Sequence, residues 1–164
     1  MDLNECLAEI LIKHKLTIST AESCTGGLLS SKLTDISGSS AFIKLNLVTY
    51  ANDAKMHMLR VEESVLNTKG AVSEECAFQM AKGLYELTKS DICVSTTGIA
   101  GPTGGGVNNG VEKPVGLMYS CIYTPEKFQI YKILKPSDTP RIKMKELFTE
   151  EVLTNIINFI QDLA

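Results

Sequence analysis

The sequence predicts a layered α/β domain with a mixed sheet. Two observations carry this. Short runs rich in β-formers alternate with segments whose apolar residues recur at helical spacing, and the last two runs lie close enough to form a hairpin before a closing helix. At 164 residues the chain is long enough to bury a core, and no repeat, linker or low-complexity segment divides it, so a single domain spanning 1–164 is expected.

The elements follow in order. Residues 3–14 read as a helix with Leu3, Leu7, Ile10 and Leu11 on its core face. "KLTIST" (15–20) alternates apolar and polar residues, predicting a strand over about 16–20. Leu29, Leu33 and Ile36 then mark a helix over about 25–35, and "DISGSS" (35–40) is a turn. "AFIKLNLVTY" (41–50) alternates as a strand, and Asn52 opens a short helix over 52–59. Ser73 caps a longer helix, with Glu74 and Glu75 in the first turn, where the helix dipole favours acids. Its stripe is Cys76 or Ala77, Met80, Leu84 and Leu87.

"DICVSTT" (91–97) has the composition of a central strand. Residues 98–114 hold six of the twelve glycines, too many for a regular element; a loop of this length is either functional or disordered. Strands over 115–124 and 127–134 turn through Pro125-Glu126. The final helix starts with Thr139 as cap and Pro140 in its first position, and buries Met144, Leu147, Phe148, Val152, Ile156, Ile160 and Leu163.

Composition excludes several functions. Hydrophobic residues make up 44% and the net charge is −3, so nothing drives the chain globally toward nucleic acid or an anionic membrane surface. Apolar runs fall short of a membrane span, and the N-terminal segment carries acids where a secretory signal carries basic residues, which predicts a cytoplasmic protein. The five cysteines are odd in number and form no C-x-x-C pair; Cys6, Cys76 and Cys93 read as buried small hydrophobes. With His14 and His57 as the only imidazoles, neither at metal-ligand spacing, no metal site and no cofactor is expected.

Three features can carry chemistry, all at or beyond the ends of predicted strands. Ser23 stands in "TAESCTGG" (20–27) between a strand and a helix start, whose free N–H groups bind anions. The same position suits a helix cap. To attack a carbonyl, Ser23 needs a base. Two histidines support a Ser-His-Asp triad poorly, His57 being the one contender. Lys55, in "TYANDAK" (49–55), is the other available base, provided that burial lowers its pKa; Ala54, Met56 and Met58 offer apolar neighbours. The glycine loop after Thr97 matches neither a dinucleotide nor a P-loop fingerprint.

"TAESCTGGLLSSKLTDISGSS", "VTYANDAK", "GAVSEECAFQMAKG" and "TTGIAGPTGG…EKPVG" occur in this order and spacing in the C-terminal domain of the competence/damage-inducible protein CinA. The chain resembles that family from about residue 3 to 160. The resemblance implies a three-layer α/β/α sandwich around a mixed, mostly parallel sheet. It also implies a nicotinamide-nucleotide amidase, converting nicotinamide mononucleotide and water to nicotinic acid mononucleotide and ammonia. Longer members carry a further domain related to molybdopterin-binding proteins, which these 164 residues do not contain.

Carried over residue by residue, the resemblance makes Ser23 the nucleophile and Lys55 its base, with Tyr50 holding the proton network between them. Thr25, Gly26 and Gly27 would bring N–H groups to the oxyanion. Thr97, Gly98 and Gly101 would begin a loop closing over the ribose phosphate, Glu22 would orient, and Arg141 would substitute for arginines that members carry where Thr139 and Lys143 stand. Asn46 occupies a position where members have glycine, and asparagine best replaces glycine at positive φ. The expected partners are a small nucleotide substrate and a second copy of the chain in a homodimer, with neither nucleic acid nor membrane. A catalytically silent nucleotide-binding or regulatory protein of the same fold is the competing reading.

Overall fold

In the computed structural model, which describes residues 1–108 and 110–163, the elements run α1 (Leu3–Lys13), β1 (Ile18–Glu22), α2 (Leu28–Thr34), a 3-10 turn (Ser39–Ala41), β2 (Ile43–Val48), α3 (Asn52–Leu59) and α4 (Glu63–Thr68). There follow α5 (Glu74–Thr88), β3 (Ile92–Gly98), β4 (Gly106–Asn108), β5 (Val111–Lys113), β6 (Leu117–Tyr123), β7 (Phe128–Leu134) and α6 (Arg141–Leu163).

Five strands form one sheet in the order β2-β1-β3-β6-β7. β1 pairs parallel with β2 and β3, whereas β6 runs antiparallel to β3 and β7. Four strands thus point one way and β6 alone is reversed: the sheet is mixed and mostly parallel. On one face α1, α2 and α6 bury Leu7, Leu11, Leu29, Leu33, Phe148 and Val152 against Ile18, Val94 and Ile122. On the other, α5 buries Cys76, Met80 and Leu84 against Ala21 and Cys93, with α3 packed on α5. Helices on both faces make the three layers that a parallel sheet requires. No helix among the described residues is long and apolar enough to cross a membrane.

β1 departs from the predicted half-buried strand. It lies two residues later, and all five of its residues are buried, because helices cover both faces. Its polar residues are satisfied inside: Ser19 Oγ lies 2.6 Å from Ser90 Oγ, and Thr20 donates to Asn46 Oδ1 at 2.9 Å. Asn46 is an ordinary strand residue and not at positive φ; its side chain accepts from Thr20, and its backbone needs no conformational tolerance.

Other departures trace to context. α4 escaped the sequence reading because six residues are too few to show a period, although Val65 and Leu66 pack under α5. The glycine-rich stretch 98–114 contains a small hairpin, β4 with β5, rather than lacking elements altogether; position 109 lies outside the described residues. Leu3, Leu87 and Leu163 are exposed, and Cys6 and Leu147 are only half-buried, since these positions lie at helix ends or rims. Cys24 and Cys121 join Cys76 and Cys93 in the interior. The Ser73 cap is present as read, its hydroxyl accepting from Cys76 N at 3.2 Å.

One glycine sets the position of α3. A Cβ on Gly83 of α5 would stand 1.8 Å from the carbonyl oxygen of Leu59, so only glycine lets the end of α3 lie against α5. Gly83→Ala gains about 1 kcal/mol of helix propensity but overpacks this contact, which costs roughly 1–3 kcal/mol or more. A thermal melt is expected to show a lower Tm, by up to about 4 °C per kcal/mol of net loss. An unchanged or higher Tm would mean that the contact relaxes freely.

Candidate active site

The strand ends decide which side chains meet. β1, β2 and β3 all finish at the same edge, β6 begins there, and α6 starts after β7 returns to it. At this edge a cleft of ≈ 290 Å³ is lined by Ser23 and Cys24 after β1, and by Tyr50, Asn52 and Lys55 after β2. Ala71 and Val72 from the approach to α5, Thr97 to Ala100 after β3, Thr103, Gly104 and Arg141 complete the wall. This is the edge where open α/β sheets hold ligands.

Lys55 is the pivotal side chain. Only 1% exposed, it brings Nζ to 3.1 Å from Ser23 Oγ, 2.9 Å from the Thr49 carbonyl oxygen and 3.0 Å from the Tyr50 carbonyl oxygen. The two carbonyls can only accept. In the neutral amine they hold both N–H groups, and the lone pair is left for the Ser23 hydroxyl proton. Burial pushes the Lys55 pKa below 10.5, favouring that neutral form, against a smaller opposing effect of the Cys76 and Cys24 thiols. Among the described residues no carboxylate forms an ion pair with it. Of its apolar neighbours on α3, Ala54 and Met56 are half-buried and Met58 is 47% exposed.

Ser23 does not cap a helix. α2 starts only at Leu28, whose N–H goes to the Thr25 carbonyl oxygen at 3.0 Å, and its next N–H groups, those of Leu29 and Ser30, are taken by Glu22 Oε1 at 2.9 Å and Oε2 at 3.0 Å. Glu22 also accepts from the hydroxyls of Thr25 and Ser30 and is wholly buried. With four donors satisfied inside, its carboxylate is a fixture of the turn, not a substrate contact. Thr25 Oγ1 lies 2.9 Å from Thr96 Oγ1, and Thr96 Oγ1 accepts the Ser23 N–H at 3.2 Å. Thr96 was not singled out from the sequence; β3 carries it into the turn.

The turn revises the expected oxyanion donors. The Gly26 N–H is held by the Ser23 carbonyl at 3.0 Å, and neither Thr25, Gly26 nor Gly27 lines the cleft. Among the described residues no main-chain carbonyl accepts the N–H groups of Cys24, Thr25 and Gly27, although the Cys24 N–H lies toward its own thiol; of these three residues Cys24 alone lies on the cleft wall. Gly26 and Gly27 serve the turn by their positive φ of 61° and 99°.

Tyr50 contributes to the lysine through its main chain. The residue is 58% exposed, and its hydroxyl accepts from Arg141 Nη2 at 3.2 Å instead of joining the Ser23–Lys55 pair. Arg141 also donates to the Gly101 carbonyl oxygen at 2.7 Å, so it ties the loop to the β2 end while facing the cleft. Gly101 is thus a loop anchor behind the wall. Thr97 and Gly98 do line the cleft, and the Thr97 hydroxyl donates to the Ala71 carbonyl oxygen at 2.7 Å. His57 is exposed and off the wall. Thr139 donates to the Pro136 carbonyl oxygen and Lys143 pairs with Glu146 at 3.6 Å; neither faces the cleft. The sequence reading missed Ala71, Val72 and Thr103, which carry no reactive group.

Cys24 is next to Ser23 but differently disposed. Burial pushes its thiol up to about 12, so at neutral pH it holds almost no thiolate. Cys24→Ser is therefore expected to keep activity within about tenfold of the parent in the hydrolysis assay below. Equal inactivity of Cys24→Ser and of alkylated parent would transfer the nucleophile to the thiol.

Fold and cleft together define an α/β domain with a buried serine–lysine pair at the carboxyl edge of its sheet. The model of the CinA C-terminal domain matches residues 1–160, and the chain belongs to that family. It is 45% identical over 165 residues to a CinA-like protein of Chloroherpeton thalassium, covering 99% of this chain and 37% of that one. A CinA-like protein of Chlorobium limicola is 41% identical over 167 residues, covering 99% and 38%. The chain thus spans somewhat more than a third of the length of these relatives. Among solved structures, competence/damage inducible protein CihA from Agrobacterium tumefaciens superposes with a TM-score of 0.87 at 37% identity, covering 96% of both chains. A CinA superfamily protein from Klebsiella pneumoniae gives 0.89 at 25% identity, covering 99% of both.

Proposed function

We propose that the chain is an amidohydrolase that removes the amide of nicotinamide mononucleotide through an acyl-enzyme on Ser23. The observation that carries the reading is the 3.1 Å approach of Lys55 Nζ to Ser23 Oγ, with two carbonyls holding its remaining hydrogens. In the first step Lys55 takes the Ser23 proton as Oγ bonds to the carboxamide carbon. The Cys24 N–H, next to Ser23 on the cleft wall, would donate to the resulting oxyanion. Collapse breaks the C–N bond, Lys55 returns its proton to the leaving nitrogen, and ammonia departs. Water then attacks the ester, giving its proton to Lys55, and the C–Oγ bond breaks as Ser23 is reprotonated. Arg141, Thr97 and Gly98 line the rest of the cleft and would position the nucleotide, Arg141 offering the N–H groups not committed to Tyr50 and Gly101. The reaction takes place in the cytoplasm, needs no cofactor, and the active form is a homodimer.

The test is ammonia release from nicotinamide mononucleotide by purified protein. Turnover abolished by Ser23→Ala supports the reading. Tight binding of the nucleotide without any ammonia would identify a silent nucleotide-binding member of the family instead.

A further inference from the structure

A second cleft, of ≈ 410 Å³, adjoins the first and shares Asn52, Ala71, Val72, Ile99 and Gly104 with its wall. Its far side is the β4–β5 hairpin, which contributes Asn108 and Lys113, and its floor includes Gly70. Lys113 is 9% exposed. One of its N–H groups is donated to the Lys69 carbonyl oxygen, which fastens the hairpin to the end of α4. The other two have no protein acceptor among the described residues, and no carboxylate lies within ion-pair distance. Glu75 acts on Lys113 only from further away, and burial lowers its pKa.

Gly70 shows where these donors meet. A Cβ at this residue would stand 3.0 Å from Lys113 Nζ and 3.3 Å from Asn108 Nδ2. Both nitrogens therefore come together beside Gly70, on the wall of the cleft, and a side chain at Gly70 would crowd them. Gly70 adopts φ +82°, so a side chain is disfavoured there on conformational grounds as well. A buried cation with spare donors, an amide beside it and a cavity in front is the chemistry of an anion-binding pocket.

We propose that Lys113, Asn108 and the open face of Gly70 form a phosphoryl-binding subsite separate from Arg141. The phosphoryl group is either that of the nucleotide in the Ser23 cleft or a free phosphate held beside it. Assignment to the nucleotide rests on the proposed function; the subsite itself does not.

Titration of the whole chain with inorganic phosphate, followed calorimetrically, tests the subsite directly. Saturable binding is expected, weakened about ten- to a hundredfold by Lys113→Met, the scale of one lost charge-assisted hydrogen bond. Asn108→Ala, at an exposed hairpin position, should weaken it in the same direction with an unchanged melting curve, and Arg141→Ala should leave it unchanged. Absence of saturable binding, or loss of binding in Arg141→Ala with Lys113→Met and Asn108→Ala unaffected, would overturn the proposal. A second arm compares nicotinamide mononucleotide with nicotinamide riboside on the Ser23→Ala chain. A preference for the nucleotide that disappears with Lys113→Met assigns the subsite to the substrate's phosphate. Equal binding of the two, with phosphate still bound, assigns it to the free anion. Failure to release ammonia from the nucleotide would reject the deamidase reading and leave the phosphate titration standing.

Discussion

Ser23→Ala is expected to lower ammonia release from nicotinamide mononucleotide by roughly 10³- to 10⁶-fold, the range seen when a serine hydrolase loses its attacking atom. Among the described residues the hydroxyl is the one side-chain hydrogen-bond partner of Lys55 Nζ, beside two main-chain carbonyls, so no neighbouring side chain inherits the role. The thiol of Cys24 does not substitute, being held protonated by burial. Stability should change little, because the turn is fixed by Glu22, Thr25 and Thr96 and not by the Ser23 side chain. Loss of one buried hydrogen bond costs about 1 kcal/mol, equivalent to a Tm shift of about 2–4 °C. Near-normal turnover in a Ser23→Ala protein would reject the acyl-enzyme.

The second large effect is at Lys55. Lys55→Arg is expected to lose about 10²- to 10⁴-fold in kcat, nearly as much as Lys55→Met, because guanidinium keeps the charge but cannot accept a proton. In the parent the rate should rise with pH through an apparent pKa below 10.5, as the amine becomes neutral; this limb should be absent in both variants. Stability follows the same proton. The folded pKa lies below the unfolded one, so between the two values the unfolded chain binds more protons and stability rises with pH. Below that window the buried charge is a standing cost that Lys55→Met removes, while leaving the Thr49 and Tyr50 carbonyls without their donor. A Lys55→Arg protein that keeps most of its kcat would reduce Lys55 to a substrate-binding cation.

Residues 52–59, the Ser73 cap and the hairpin through Pro125-Glu126 were legible from sequence because each is governed by neighbours within a few residues. β1 was displaced because its alternation of polar and apolar residues suggested one wet face, and only the helices packed on both sides show that neither is wet. Glu22 was assigned toward the substrate, and the Tyr50 side chain toward the Ser23–Lys55 proton network, for a related reason. A side chain's type says what it can bond, but not which partner reaches it first. For Glu22 that partner is the start of α2, and for Tyr50 it is Arg141, ninety-one residues away.

By itself the sequence determined the alternation of strands and helices, the family, and the two reactive groups, Ser23 and Lys55, which lie thirty-two residues apart. Those are properties of local pattern and residue chemistry. The tertiary structure decided that the two groups touch, that the lysine is buried with its hydrogens held by carbonyls, and that Lys113 faces an open pocket above Gly70. A lysine on a short helix is ordinarily solvated. It becomes a candidate base only when parallel pairing of β1 and β2 sets their ends side by side and α3 packs on α5 with the amine buried, and contacts between such distant segments are recorded in no single stretch of the chain.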